Sequence, residues 1–353
     1  MKKFWALLLA VMLVVGMVAG CGGGAAEEPA PEAPAGDEPP AEEPAEPYKV
    51  ALLLPGAIND AGFNQLGYEG LMAAKDKYGL DVAYTEQIPQ VDFETVLYDY
   101  IDKGYDLILG NGFDFTDAML KIAPTAPDVQ FAIINGNEAL APNLAVYRFY
   151  TPETGFLAGA AAALVSESGK VGMIGGQSFP HIVDAAVGFE AGAKYINPDI
   201  QVLTGYTESW TDVAKGKEMA MAMIDQGVDV VVGNANQVTL GIIGAAQERG
   251  VRAIGYIDDQ SAVAPETVAI SSIQSVSELM DTMIQDAMNG EMEPVKNLVG
   301  VKEGVVRPTD WNHPEWVDEE GMAKWEEVVT GLQDGSFKSS GVLPSPPSKT
   351  RNM

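Results

Sequence analysis

From Lys49 onward, short apolar runs alternate with longer amphipathic stretches. Runs at residues 50–54, 81–85, 107–109, 131–134 and 145–149 read as strands. Residues 62–78, 93–103 and 116–123 between them carry apolar side chains at helical spacing, as Val96, Leu97, Tyr100 and Ile101 illustrate. The pattern then restarts. Residues 152–166 form an Ala- and Gly-rich helix suited to tight packing on a sheet. Strands at 170–174, 201–204, 228–232, 252–257 and 269–273 follow, separated by helices at 182–195, 212–226 and 240–249. A helix at 275–288, a strand at 297–301 and a helix at 319–334 finish the body. Such alternation predicts an α/β protein with parallel sheets covered on both faces. It predicts two lobes, residues 49–150 with 274–300 and residues 151–273 with 301–338. The chain crosses between them near Tyr150 and Ile273, and again after Gly290. Two such lobes suit a clamp that closes by a hinge.

Open α/β sheets place ligands beyond the carboxyl ends of their strands, so the loops there are the candidate site. After the first strand, Pro55-Gly56 breaks the chain and Asn59, Asp60, Phe63 and Asn64 follow. Asp60 and Asn64 are ring-edge contacts or helix caps. The next such loop, Gly110-Asn111-Gly112-Phe113-Asp114-Phe115, offers Asp114 as a contact or cap, and Phe113 or Phe115 as a ligand ring or core residue. Phe179, in Gly175-Gly176-Gln177-Ser178-Phe179-Pro180-His181, is a ring for the crevice or a hydrophobic staple. His181 reads as a surface or capping histidine, and His313 as part of a packed turn. Trp210 brings a large ring with one donor, and Asp212 reads as a cap. Asn234 and Asp259 complete the candidates. Amides, carboxylates and rings recur at this edge with almost no cations, which suits a flat, neutral ligand with several donors.

The ends of the chain fix its expected location. Lys2-Lys3, an apolar stretch over residues 4–18, and Val18-Ala19-Gly20-Cys21 match a bacterial lipoprotein signal over residues 1–20. Lipid on Cys21 would then hold the protein at the extracytoplasmic face of the cell membrane. Residues 21–48, rich in Gly, Ala, Pro, Glu and Asp, read as a disordered acidic tether. Residues 339–353 read as a disordered tail. The formal net charge of −29 argues against nucleic-acid binding.

No nucleophile elbow, Walker A motif or dinucleotide-binding glycine pattern occurs, and two histidines with one cysteine supply no His or Cys metal cluster. No enzyme activity, cofactor or metal is expected. The body over about residues 49–334 resembles the basic membrane protein family, substrate-binding lipoproteins that include purine nucleoside and base receptors of ABC transporters. The resemblance rests on Asn59-Asp60-Ala61-Gly62-Phe63-Asn64-Gln65 with Tyr68-Glu69-Gly70, on Gly112-Phe113-Asp114-Phe115-Thr116-Asp117-Ala118 and on Thr154-Gly155-Phe156-Leu157-Ala158-Gly159. Lys170 to Gly176, Gly188-Phe189-Glu190-Ala191-Gly192-Ala193, residues 225–231 and Ile254-Gly255 continue it in order.

This resemblance implies a type I periplasmic-binding fold, with ligand in the interlobe cleft and a membrane permease as partner. A purine would be held between rings while acidic and amide groups hold its edge. That points to Asp60, Phe63, Asn64, Phe113 and Asp114 from one lobe, with Phe179, Trp210, Asn234 and Asp259 from the other. Ile257 stands where nucleoside-binding members carry an aspartate, which weakens the expectation of a ribose contact and brings a free base or another small heterocycle forward. A monomer is expected. Presentation of bound ligand to a membrane receptor, and hydrolysis by surface carboxylates, are the alternative functions.

Overall fold

The computed structural model describes residues 46–339 and 341–343. The lipoprotein signal, Cys21 and nearly all of the tether lie outside the described residues, as does most of the tail.

The first sheet holds β1 (Lys49–Leu53), β2 (Asp81–Thr85), β3 (Leu107–Asn111), β4 (Gln130–Ile134), β5 (Leu144–Phe149) and the much later β11 (Lys296–Val299). Its order is β11-β5-β4-β3-β1-β2, parallel throughout. The second holds β6 (Lys170–Gly175), β7 (Gln201–Tyr206), β8 (Val230–Asn234), β9 (Arg252–Ile257), β10 (Val268–Gln274) and β12 (Val306–Pro308). Its order is β12-β10-β9-β8-β6-β7, and only β12 runs antiparallel. The final passage between sheets therefore falls between Val299 and Val306, because Lys296–Val299 first adds a parallel strand beside β5. The three-residue β12 has no sequence pattern of its own.

Alternation along the strands explains the layers. Val50 and Leu52 face one side of the first sheet, where α1 (Phe63–Tyr78) and α8 (Val276–Met288) pack. Ala51 and Leu53 face the other, with α2 (Phe93–Asp102) and α3 (Thr116–Ile122). Both faces are covered, so the inner strands β1, β3 and β4 are buried at nearly every position and largely apolar, while the edge strands β2 and β11 are more open and carry polar residues. The second sheet is covered likewise by α4 (Thr151–Val165) and α5 (Pro180–Ile196) on one side, and by α6 (Val213–Ile224) and α7 (Val238–Arg249) on the other.

The glycines of α4 face a helix rather than the sheet. A Cβ on Gly155 or Gly159 would lie 2.0 or 1.9 Å from backbone oxygens of α5, and one on Gly188 or Gly192 would lie 2.1 Å from those of α4. The two helix backbones touch, which only glycine permits. The helix α9 (Glu319–Gln333) packs on the same α4. One correction falls at the chain end. Residues expected in the tail fold back, with the amides of Val342 and Leu343 donating to the Phe337 carbonyl. Leu343 is buried because its side chain joins the core cluster.

Candidate functional site

Strand order reverses at the same place in both sheets. β1 lies between β2 and β3, and β6 lies between β7 and β8. Loops leaving strands at such a switch point diverge and leave a crevice. Here the crevices of the two lobes face each other across a cavity of about 350 Å³. Asp60, Phe63, Asn64, Phe113, Asp114, Phe179, Trp210 and Asn234 line it. Asn59 and Asp259 do not. Asn59 is exposed. The exposed Asp259 accepts from the Ser261 amide at 3.0 Å and the Ser271 hydroxyl at 3.4 Å, which fixes its own loop.

The first-lobe wall is knit by hydrogen bonds. Asp60 is buried, and its carboxylate accepts from the amides of Gly62 at 3.0 Å, Gln65 at 3.1 Å and Asn64 at 3.3 Å. It also accepts from Asn64 Nδ2 at 2.8 Å and, across the cleft, from Asn236 Nδ2 at 3.0 Å. Asn64 Oδ1 takes the Gly56 amide at 3.3 Å, and a Cβ on Gly56 would sit 2.4 Å from Asn64 Nδ2. For Asp60 the geometry matches the cap, since it accepts from the first amides of α1, whereas Asn64 lies inside α1 and its side chain bonds to Asp60 and to the Gly56 amide instead. These residues organise the start of α1 and, through Asn236, tie the lobes together. Asn111 Nδ2 donates to the Phe63 carbonyl at 3.1 Å. Phe115 turns into the core against Phe93, with ring centroids 4.1 Å apart. Phe113 turns to the cavity. Burial raises the Asp114 carboxyl above the usual carboxylate range, and its own backbone amide only partly offsets this.

The second-lobe wall is aromatic. Phe179 lies 6.0 Å from Trp210 and 6.1 Å from His181, centroid to centroid. Phe113 reaches over from the first lobe to within 5.1 Å of Phe179. Trp210 lies on Gly176, where a Cβ would come within 2.3 Å of the indole. Asp212, expected as a cap, accepts from the Lys215 amide at 3.0 Å. Ile257 lines the cavity with φ of 74°, a conformation that costs a β-branched residue on the order of 1–3 kcal/mol.

Sequence reasoning passed over several lining residues: Asn111, Asn135, Thr151, His181, Asn236 and Gln274. Asn111 and Gln274 end strands, and Asn135 and Asn236 follow them closely, so strand-end position was the available signal for these four, whereas Thr151 and His181 lie in the first turns of α4 and α5. Three carry a buried polar atom with no hydrogen-bond partner: Asn111 Oδ1, Thr151 Oγ1 and His181 Nδ1. His181 was expected at the surface or in a cap. Instead its ring joins the cavity wall, where burial, and secondarily the Arg148 guanidinium, push its pKa down to about 3. It is neutral at physiological pH. No lysine or arginine is among the lining residues. Among the described residues, no group of three or more His, Cys, Asp or Glu is placed to hold a metal ion. Among the same residues, no helix is long and apolar enough to cross a membrane.

Two α/β lobes with a polar and aromatic cavity between them define a solute-binding protein of the type I periplasmic-binding fold. The family model for ABC transporter substrate-binding proteins of the PnrA-like type matches residues 48–329. The chain belongs to that family, and its function is substrate binding for an ABC transporter rather than catalysis. It is 32% identical over 266 residues to basic membrane protein A of Borreliella burgdorferi, covering 73% of this chain and 78% of that protein. It is also 32% identical over 259 residues to transcriptional activator protein med of Bacillus subtilis, covering 73% and 80%. A crystal structure of a solute-binding protein of an ABC transporter system from Aeropyrum pernix superposes with a TM-score of 0.76 at 26% identity, covering 82% of this chain and 92% of that one.

Proposed function

We propose that this protein captures a purine nucleoside or purine base outside the cytoplasm and hands it to the permease of an ABC importer, as a monomer held to the membrane by lipid on Cys21. The observation that carries the reading is the cavity itself: rings from Phe63, Phe113, Phe179 and Trp210, amides such as Asn234, carboxyls at Asp114 and at the already bonded Asp60, and no lining cation. Rings offer their faces to a flat heterocycle, and amides and a carboxyl accept from its N–H edge. In this reading Phe63, Phe113, Asp114, Phe179, Trp210 and Asn234 contact the ligand, while Asp60 and Asn64 hold the loop that carries Phe63. Ile257 puts an apolar branched side chain in the lining and offers no hydrogen bond to a sugar hydroxyl, which favours free bases.

Isothermal titration of the purified chain with adenosine, guanosine, inosine, adenine and hypoxanthine tests this. We expect one saturable site, with bases bound at least as tightly as nucleosides. No heat with any of the five would sink the purine assignment.

A second reading, presentation of bound ligand to a regulatory partner, has the relative named as a transcriptional activator behind it. The net charge of −29 opposes direct contact with DNA phosphates. Loss of labelled-purine uptake on deletion of the gene favours transport. Unchanged uptake with altered transcription favours the regulatory role.

A further inference from the structure

Folded proteins leave few buried polar atoms without a partner, and each one in a cavity wall marks what a ligand would supply. Asn111 Oδ1, Thr151 Oγ1 and His181 Nδ1 are three such atoms on residues of one wall system. They come from different elements: the end of β3, the first residue of α4 and the second residue of α5. Asn111 and Thr151 are both nearly inaccessible. The Asn111 amide is oriented by its Nδ2 bond to the Phe63 carbonyl at 3.1 Å, which leaves Oδ1 as an acceptor in need of a donor. The Thr151 hydroxyl can give or take a proton. A neutral imidazole carries one donor and one acceptor nitrogen.

We propose that His181 is a ligand-contacting residue, and that its ring, the Thr151 hydroxyl and the Asn111 carbonyl together form the hydrogen-bonding edge that reads a bound heterocycle. This rests on the cleft being the solute site, as argued above, and holds for any heterocycle with an N–H edge. The ring is held for the task. It lies 6.1 Å from Phe179 and 6.5 Å from Phe113. Arg148, the nearby cation, is paired with Asp184 at 2.5 Å, so its charge is met by a carboxylate and not by the ligand. Burial and that cation keep the imidazole uncharged. The three orphan atoms have almost no accessible surface with the lobes together, so contact with a ligand requires the wall side chains to shift as the lobes part and close around it.

Two variants test the assignment. His181→Phe keeps a ring in the aromatic wall and deletes both nitrogens, while His181→Gln keeps hydrogen-bonding capacity and loses the ring. Each is titrated with the five purines and with any compound released from wild-type protein purified without denaturation. We expect His181→Phe to weaken binding of the wild-type ligand at least tenfold with its melting temperature little changed, and His181→Gln to recover part of the loss. Because the chain has only two histidines, ¹⁵N resonances of His181 are assignable by comparison with His181→Phe. They should shift when ligand is added. Binding by His181→Phe within twofold of wild type, or unmoved His181 nitrogens at saturation, overturns the proposal. If wild type binds no purine but His181→Phe weakens binding of the released compound, the purine assignment fails and the His181 edge stands. If wild type binds none of the five and releases nothing, both fail.

Discussion

The two walls of the cleft are built on opposite plans. In the first lobe, Asp60, Asn64 and Gly56 bond to one another and to neighbouring backbone, so the wall is fixed by directional contacts that need no ligand, and only Asn111 keeps an acceptor free. In the second lobe, Phe179, His181 and Trp210 touch through rings, and Ile257 adds an apolar branch. Ring contacts tolerate small shifts, and they gain when a flat surface fills the space between them. A hydrogen-bonded wall tolerates neither shift nor loss, because a buried donor left without its acceptor is costly. The first wall therefore belongs to the fold as much as to the ligand. The second belongs mainly to the ligand.

The largest effect should follow from breaking the first wall at its centre. Asp60→Ala removes the acceptor of donors from Gly62, Asn64, Gln65 and Asn236. A loss of about 2–4 kcal/mol in urea denaturation is expected, with ligand binding lost as well. Trp210→Ala makes the contrasting case. The indole is half-buried against Gly176, so the unliganded protein should lose clearly less stability than Asp60→Ala does. Ligand affinity should fall about tenfold or more in titration calorimetry. A Trp210→Ala protein as unstable as Asp60→Ala, with affinity intact, would erase the distinction between the walls.

The same contrast explains what the sequence revealed. Strands covered on both faces are mostly apolar, so nearly every strand and all the long helices were legible as runs and stripes. The aromatic wall was legible too, since Phe179 and Trp210 are large side chains in glycine-flanked loops. The polar wall was only half legible. Asp60 could be a cap or a contact, and the difference lies in Asn236, 176 residues away in the chain. Thr151 sits where the chain passes between lobes, and nothing local marks it as a cavity residue. The glycines of α4 signalled close approach without saying that α5 was the neighbour. His181 looked ordinary because its environment is made by Arg148 and the rings of other loops.

That environment gives a pH signature of smaller size. The folded-state pKa of His181 lies near 3, below its ordinary value of 6.5, so the unfolded chain binds the extra proton in that window. Its stability contribution is complete above pH 6.5 and is lost as pH falls towards 3. The limit is about 1.4 kcal/mol per pH unit. Because the residue as a whole is only half-buried, a loss on the order of 1 kcal/mol by pH 5 is expected, below that limit. Arg148 and Asp184 pair with each other beside it. Asp114 is shifted upward, so its effect has the opposite sign and begins lower, in the carboxylate range. Denaturation of wild type and His181→Phe at pH 7.5 and 5.0 checks this. The variant should lose less stability between the two, and equal losses would mean that His181 is not held neutral by burial.

The smallest expected effect concerns how the walls meet. Asn236 joins them twice, through Nδ2 to Asp60 and through Oδ1 from the Phe63 amide at 3.4 Å. Arg148 and Asp184 join the lobes as well, but the Asp184 side chain is 49% exposed. Arg148 is only 12% exposed, but the carboxylate half of the pair is open to water and salt, which weakens its hold on the closed form. Asn236 has φ of 44°, so alanine there would add backbone strain to the lost bonds, whereas glycine removes the bonds alone. Asn236→Gly should raise the population of open protein and weaken ligand binding about three- to tenfold, since affinity falls with the fraction in the closed form. Small-angle scattering of the unliganded variant should give a larger radius of gyration than wild type. Asp184→Ala should stay within twofold of wild-type affinity. The reverse ranking would assign closure to the exposed ion pair, and the hydrogen-bonded wall would then stop at its own lobe.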